Sequence, residues 1–148
     1  MTFRANGSYV DSYKVDGTEY AGRNDGLNTI PRVRGQLAVD WDYRALSATV
    51  AANYIRSYYQ GFLGGSFFAP TDPRFQNQVY PDRVPSYTTY DAFAKYQLTK
   101  NLSISGSVVN IENRMPPYDP GFSATFLYDF SIYDPRGRQY RLGLTWKM

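Results

Sequence analysis

Six segments of the 148-residue chain alternate apolar or small residues with polar ones at a period of two. This period is typical of β-strands, because successive side chains of a strand point to opposite faces. The segments cover about residues 3–14, 32–43, 46–59, 87–98, 102–112 and 139–148. No helical period of comparable length competes, so the sequence predicts an all-β chain with an antiparallel sheet of about six strands.

One face of every predicted strand excludes charge. Its members are Phe3, Ala5, Gly7 and Tyr9; Val33, Gly35, Leu37, Val39, Trp41 and Tyr43; Leu46, Ala48, Val50, Ala52 and Tyr54; Thr88, Tyr90, Ala92, Ala94, Tyr96 and Leu98; Leu102, Ile104, Gly106 and Val108; Tyr140, Leu142, Leu144, Trp146 and Met148. The interleaved positions carry the charges, among them Arg4, Asp40 and Lys147. A face of this kind must contact lipid or a protein core.

The lengths of the connections separate these two possibilities. Short joints at "DYRAL" and "LTKN" alternate strictly with long ones at about 15–31, 60–86 and 113–138. In a transmembrane β-barrel, short turns lie on the periplasmic side and long loops lie outside the cell. The sequence therefore predicts an open segment of a transmembrane β-barrel, with every short turn periplasmic if the last strand ends there.

Aromatic residues fall at both ends of the predicted strands. Trp41, Tyr43, Tyr96 and Trp146 occupy the predicted periplasmic ends, and Tyr9, Tyr54, Tyr58, Tyr90 and Tyr140 occupy the outer ends. Two such girdles flank the lipid-facing band of outer-membrane barrels. A soluble antiparallel β-sandwich with one buried face is the alternative, but it requires neither the girdles nor the alternating joints.

Composition excludes several classes of function. The chain has no Cys and no His, which removes the commonest metal ligands, the thiolate nucleophile and the commonest general base. No catalytic constellation or phosphate-binding loop occurs, and the net charge of +3 is not clustered. We therefore expect no enzyme, no cofactor, no metal site and no nucleic-acid partner. The run "DPRG" matches a type I turn.

Most of the chain resembles a known family. The run "VPSYTTYDAFAKYQLTKNLSISGSVVNIENRMPP", followed by "YDPRGRQYRLGLTWKM", is similar to the carboxy-terminal end of TonB-dependent receptors, and "IPRVRGQLAVDWDY" resembles an earlier strand of their barrel. The resemblance covers roughly residues 30–148 and is strongest from residue 84 onward. It implies an outer-membrane location and contact with outer-membrane lipid.

The resemblance gives the last strand a role in assembly. Outer-membrane proteins commonly finish on an alternating strand with an aromatic last residue, which the barrel-assembly machinery reads as a signal. The corresponding residues here are Tyr140, Leu142, Leu144, Trp146 and Met148, with Met148 in place of the aromatic residue.

The resemblance also implies a domain organisation. Receptors of this family have an amino-terminal plug, a box that contacts the TonB system and a barrel of about 22 strands. Residues 1–148 are expected to be the carboxy-terminal part of that barrel, as a fragment or a truncated reading frame, because neither plug nor box is recognisable. The TonB system would then act through the missing amino-terminal region.

The long connections are the predicted ligand surface. Their rings and guanidinium groups suit a ferric siderophore or another bulky polar solute, and the candidates are Phe67, Phe68, Arg74, Arg83, Tyr118, Tyr128 and Arg136. The competing interpretation is that these rings pack loop against loop or extend the strands. The predicted function is active uptake of a scarce solute, energised by the TonB system. A passive porin-like barrel piece and a soluble β-sandwich binding module are the alternatives, and the solute itself is not identified.

Overall fold

The computed structural model describes residues 1–24, 29–60, 83–119 and 127–147. Within those ranges the chain forms twelve β-strands and no helix, and it contains no helix that could cross a membrane. The strands are β1 (Thr2–Tyr9), β2 (Lys14–Val15), β3 (Thr18–Glu19), β4 (Arg23–Asn24), β5 (Thr29–Ile30), β6 (Val33–Tyr43), β7 (Leu46–Ile55), β8 (Tyr58–Tyr59), β9 (Arg83–Val84), β10 (Tyr87–Gln97), β11 (Leu102–Val109) and β12 (Gln139–Trp146).

Six long strands form one antiparallel sheet in the order β1-β6-β7-β10-β11-β12. Each long strand therefore pairs with the next long strand along the chain. The sheet is open, since β1 and β12 are its two edges. Both the all-β prediction and the prediction of an open six-strand sheet are confirmed.

The register places the charge-free residues of neighbouring strands directly opposite each other. One continuous row runs across the whole sheet through Phe3, Val39, Val50, Ala92, Val108 and Tyr140. A slip of one residue in any pair would mix the two faces. The period-two pattern therefore predicted the strands and the face on which each side chain lies, and the observed register keeps the two faces separate.

Polar side chains on the other face are joined across the strands. Arg4 forms an ion pair with Asp40, and Asp40 also accepts a 2.7 Å hydrogen bond from the Thr49 hydroxyl. One step along the sheet, the Asn53 amide donates a 2.8 Å bond to Asp91. Pairs of this kind satisfy polar groups on a sheet face that is not packed into an apolar core.

No described residue forms a layer over the charge-free face. The exposed fraction is 64% for Leu37 and 90% for Leu142. In water this face would be a contiguous apolar patch of the kind that monomeric soluble proteins rarely leave exposed. The described residues therefore do not provide the second layer that a soluble β-sandwich requires.

Three strands are shorter than predicted. The first ends at Tyr9, because Lys14–Val15 and Thr18–Glu19 form a separate hairpin instead. Its turn residues Asp16 and Gly17 both have positive φ, the conformation that a two-residue hairpin with Asp-Gly adopts. The third strand ends at Ile55 rather than residue 59, and the fifth ends at Val109.

A second, small sheet extends the long-connection end of the structure, in the order β5-β4-β8-β9. Three of its strands continue long strands after a two-residue break: β5 precedes β6, β8 follows β7 and β9 precedes β10. Strand β4 is inserted between β5 and β8 and runs parallel to β8. We call this the outer sheet.

The facing of side chains reverses at each of these breaks. Along β7, odd positions such as Ile55 lie on the polar face, yet Tyr58 packs on that same side against Ile55 and Tyr87. In β9, Val84 joins the same cluster, although even positions of β10 lie on the charge-free face. Each break therefore shifts the alternation by one residue.

Candidate functional site

The main buried cluster lies at the long-connection end of the polar face. Tyr58, Val84, Tyr87 and Tyr133 form its centre, and Ile55, Tyr128 and Ile132 pack against it. The rings of Tyr87 and Tyr133 meet edge to face with centroids 5.1 Å apart. The cluster therefore joins the large sheet, the outer sheet and the last long connection into one packed unit.

A polar contact lies inside this unit. The Asp119 carboxylate accepts hydrogen bonds from the Tyr58 hydroxyl at 2.8 Å and from the Asn24 amide at 2.9 Å. All three side chains are fully buried. Burial raises the pKa of Tyr58 well above its ordinary value, so its hydroxyl stays protonated and can donate. Burial likewise raises the pKa of Tyr133 to about 12.

The Asn-rich strand end after β11 has a clear structural role. Asn110 has a φ of 54°, and its side chain makes two hydrogen bonds with the backbone of Arg114. The side-chain amide of Asn110 donates to the Arg114 backbone carbonyl at 2.8 Å. Its side-chain oxygen accepts from the Arg114 backbone N–H at 2.9 Å. Asn113, with a φ of 56°, accepts a 2.9 Å bond from the Arg138 amide. Asparagine tolerates positive φ and makes such local bonds, which explains its repetition in "NIENR".

The predicted ligand residues do not form one described cluster. Tyr128 packs against the buried unit, as the loop-packing interpretation expects, and Tyr118 is half-exposed beside Asp119. Arg83 lies on the opposite face of the outer sheet from Val84 and stacks on the Tyr59 ring at 4.4 Å. Phe67, Phe68 and Arg74 lie outside the described residues. The assignment of these residues to a ligand surface stays a prediction.

Arg136 is held in a turn. Its guanidinium forms a 2.7 Å ion pair with Asp134, and its amide donates to the same carboxylate at 3.0 Å. These contacts, led by the Arg136 side chain, hold the pKa of Asp134 at about 2. The turn predicted for "DPRG" is confirmed at Pro135 and Arg136, and Gly137 has the positive φ that follows it.

The predicted assembly strand is β12. Tyr140, Leu142, Leu144 and Trp146 lie on its charge-free face and are strongly exposed, whereas Met148 lies outside the described residues. Strand β12 is an edge of the sheet, and β11 is its neighbour. Its role in barrel assembly stays a prediction.

Comparison with protein-family models gives a match. The family model described as TonB dependent receptor-like, beta-barrel, matches residues 1–111. The chain belongs to this family. The match covers strands β1 to β11, and it starts nearer the amino terminus than the resemblance did. No curated protein and no solved structure matches the chain.

Membership in the TonB-dependent receptor barrel family identifies the general function. The family consists of receptors and transporters, not enzymes, and its barrels typically lie in the outer membrane. The charge-free face and the polar face of the large sheet fit the lipid-facing and lumen-facing sides of such a barrel. Among the described residues, no group of three or more acidic side chains could hold a metal ion.

Sequence reasoning missed the residues that hold the loops together. Asn24 and Asp119 are 95 positions apart, and neither belongs to an alternating segment. Asp129, also fully buried, was likewise not singled out; its carboxylate accepts a 2.7 Å bond from the Ser131 amide. No local pattern identifies such residues, because their partners come from distant connections.

Proposed function

We propose that the six long strands are a contiguous arc of a larger outer-membrane barrel, and that this barrel imports a scarce, bulky solute with energy from the TonB system. Six strands are too few to close around a lumen, and about eight is the practical minimum. The unpaired outer edges of β1 and β12 would join further strands of the same barrel.

The observation that carries the proposal is the difference between the two faces of the sheet. One face presents an uninterrupted charge-free surface, and the other presents hydrogen-bonded pairs such as Gln36 with Asn53 and Asn53 with Asp91. A lipid-facing surface tolerates the first pattern, and a water-filled or plugged lumen tolerates the second.

The proposed solute class rests on the long connections. Rings and guanidinium groups recur in them, including Tyr118, Tyr128 and Arg136. Such groups suit a bulky solute with aromatic or anionic parts, of which a ferric siderophore is one example. The buried contact between Tyr58 and Asp119 supports this proposal, because it would fix the connections in a defined arrangement above the lumen.

Uptake in whole cells tests the proposal. The full-length receptor containing this chain would be produced in two matched strains, with and without the TonB protein. Each strain would be offered radiolabelled ferric siderophores of the hydroxamate and catecholate classes, together with other bulky nutrients. Accumulation of one solute that requires both the receptor and TonB is the expected result.

Two other outcomes would favour the alternatives. Uptake that depends on the receptor but persists without TonB, or after a protonophore collapses the proton gradient, would identify a passive pore. Recovery of the receptor in the detergent-free soluble fraction would identify a soluble binding module instead.

A further inference from the structure

The exposed face of the outer sheet is formed by arginine and tyrosine side chains. Residues that are paired across a sheet point to the same face, and the register pairs Arg23 with Ile30, Arg23 with Tyr59 and Tyr59 with Arg83. The neighbouring positions Asn24, Tyr58 and Val84 are buried on the other side. This exposed face therefore points away from the buried cluster and from the polar face of the large sheet.

A cavity of about 280 Å³ is formed on this exposed face. Two further arginines contribute to it from the breaks that precede β6 and follow β7. The charged and aromatic residues lining it are Arg23, Arg32, Arg56, Arg83, Tyr59 and Glu19. We call it the arginine pocket.

The charge of the arginine pocket is strongly positive. Four guanidinium groups line it, and Glu19 is the only carboxylate among the described residues of its lining. Glu19 is already bonded to the Ser12 hydroxyl and to the Tyr13 and Ala21 amides, which lower its pKa to about 2. Within residues 1–24, 29–60, 83–119 and 127–147, none of the four guanidinium groups lies within ion-pair distance of a carboxylate.

Two of these arginines are held in place by neutral partners. Arg83 stacks on Tyr59 and donates a 3.1 Å hydrogen bond to the Ser57 hydroxyl. Arg32 donates to the carbonyls of Val10 and Asp11. Such contacts fix a guanidinium group without neutralising it, which leaves its charge available to an anion.

The position of the pocket relative to the membrane band indicates its ligand. Arg56 follows Tyr54 by two positions, and Tyr54 belongs to the outer aromatic girdle of the charge-free face. Aromatic girdles mark the level at which hydrocarbon gives way to headgroups. The arginine pocket therefore lies just beyond the girdle, on the side that faces lipid rather than the lumen.

We propose that the arginine pocket binds the phosphate group of an anionic lipid headgroup in the outer leaflet. Planar guanidinium groups bind phosphate oxygens in a bidentate manner, and several together hold a multiply charged headgroup. An imported solute would pass through the lumen, on the opposite side of the sheet. The inference rests on the proposed function only for the membrane position of the charge-free face.

Lipid binding to the full-length receptor tests this inference. The purified receptor would be delipidated and reconstituted into phosphatidylcholine nanodiscs, and binding of labelled diphosphorylated lipid A would be measured. Arg56→Gln removes one positive charge from the pocket. Arg34→Gln is the matched control, since Arg34 lies at the same end of β6 on the polar face. Arg56→Lys keeps the positive charge but lacks the planar guanidinium group that binds phosphate in a bidentate manner.

We expect Arg56→Gln to weaken lipid A binding about tenfold, the effect of losing one charge-assisted contact. Arg34→Gln should bind as wild type does, Arg56→Lys should fall between the two, and dephosphorylated lipid A should bind weakly to all. Equal binding by wild type and Arg56→Gln, or equal weakening by Arg34→Gln, would overturn the inference. Displacement of the lipid by inorganic phosphate at equal concentration would overturn it too, because the ligand would then be the free anion.

Heat-modifiable gel mobility of each reconstituted receptor separates the two proposals. If the receptor folds and inserts but binds lipid A equally well with and without Arg56, the lipid site is excluded and the proposed transport function still stands. A receptor that does not insert would remove both proposals.

Discussion

The Tyr58 hydroxyl donates a 2.8 Å hydrogen bond to the Asp119 carboxylate across 61 positions of the chain. Both side chains are fully buried, and Asn24 donates to the same carboxylate. This contact joins three connections that the large sheet leaves separate. Since a buried carboxylate costs free energy unless it is hydrogen-bonded, the contact determines how these connections are arranged.

Removing this hydroxyl should loosen the connections. Tyr58→Phe keeps the ring in its packed position but removes one donor from Asp119. We expect the free energy of unfolding to fall by about 1–3 kcal/mol. Urea unfolding of the receptor refolded in detergent micelles measures it. Tyr59→Phe, on the exposed face of the outer sheet, is the control and should change stability by less than about 1 kcal/mol. Equal stability of wild type and Tyr58→Phe would contradict a structural role for the contact.

Adjacent alanines on opposite faces test the assignment of lipid and lumen. Ala52 lies on the charge-free face, whereas Ala51 lies on the polar face opposite Asp91. Ala52→Arg should destabilise the folded barrel by about 2–4 kcal/mol if it enters the bilayer midplane. Ala51→Arg should be tolerated, because its guanidinium can reach Asp91 and water. Heat-modifiable gel mobility after assembly in cells measures the amount of folded barrel. An equal loss of folded barrel in both variants would contradict the assignment of the two faces.

Glycine at position 137 should be required for the last turn. Its φ is +66°, and an added Cβ would lie 2.6 Å from the Asn113 side-chain oxygen that accepts the Arg138 amide. Gly137→Ala should therefore lower stability by about 2–3 kcal/mol, combining backbone strain with a lost hydrogen bond. Gly17→Ala, with a φ of +80° and open space around the Cβ, isolates the strain and should cost about 1 kcal/mol. Urea unfolding compares the two, and equal losses would exclude a contribution from Asn113.

The turn at Asp134 should weaken only in strong acid. Its carboxyl pKa is about 2, below the ordinary value of 3.8, chiefly because of the hydrogen bond from Arg136. A lowered pKa means that its stabilising contribution is complete above about pH 4 and is lost as the pH falls towards 2. Carboxyl ¹³C chemical shifts of the labelled receptor give the midpoint, which Arg136→Gln should raise towards 3.8. Arg138→Gln should leave the midpoint in place, and a midpoint near 3.8 in wild type would contradict the ion pair.

The orientation of the sheet can be tested with introduced cysteines, since the 148 residues contain none. Ser131 lies exposed in the last long connection, and Lys100 lies exposed in a short turn. On intact cells, Ser131→Cys should react with an impermeant maleimide, whereas Lys100→Cys should react only after the outer membrane is permeabilised. Labelling of position 100 alone in intact cells would show that the orientation is the opposite of the one expected, and would exclude the long connections as an extracellular ligand surface.

The long strands and the facing of their side chains could be predicted from sequence, because one physical requirement acts on all of them. Each must present a charge-free face, so Val39, Val50 and Ala92 are assigned to the same face without knowledge of their partners, whereas their direct pairing is seen only in the structure. The outer sheet could not be predicted in this way. Its strands are two residues long, too short for a period, and β4 pairs with β8 across 33 intervening residues that carry no shared pattern. The buried pair of Tyr58 and Asp119 depends on the same long-range geometry.

The one-residue shift at each break has a consequence for how the sequence can vary. The facing of side chains along a strand has a period of two residues, and each break between the large sheet and the outer sheet shifts its phase by half a period. If the alternation of β7 continued through Arg56 and Ser57 without a break, Tyr59 would point inward and Tyr58 would point out. The number of residues in these breaks is therefore constrained more tightly than their identity, whereas the tip of the Asp16–Gly17 hairpin can change length without altering the facing of any long strand.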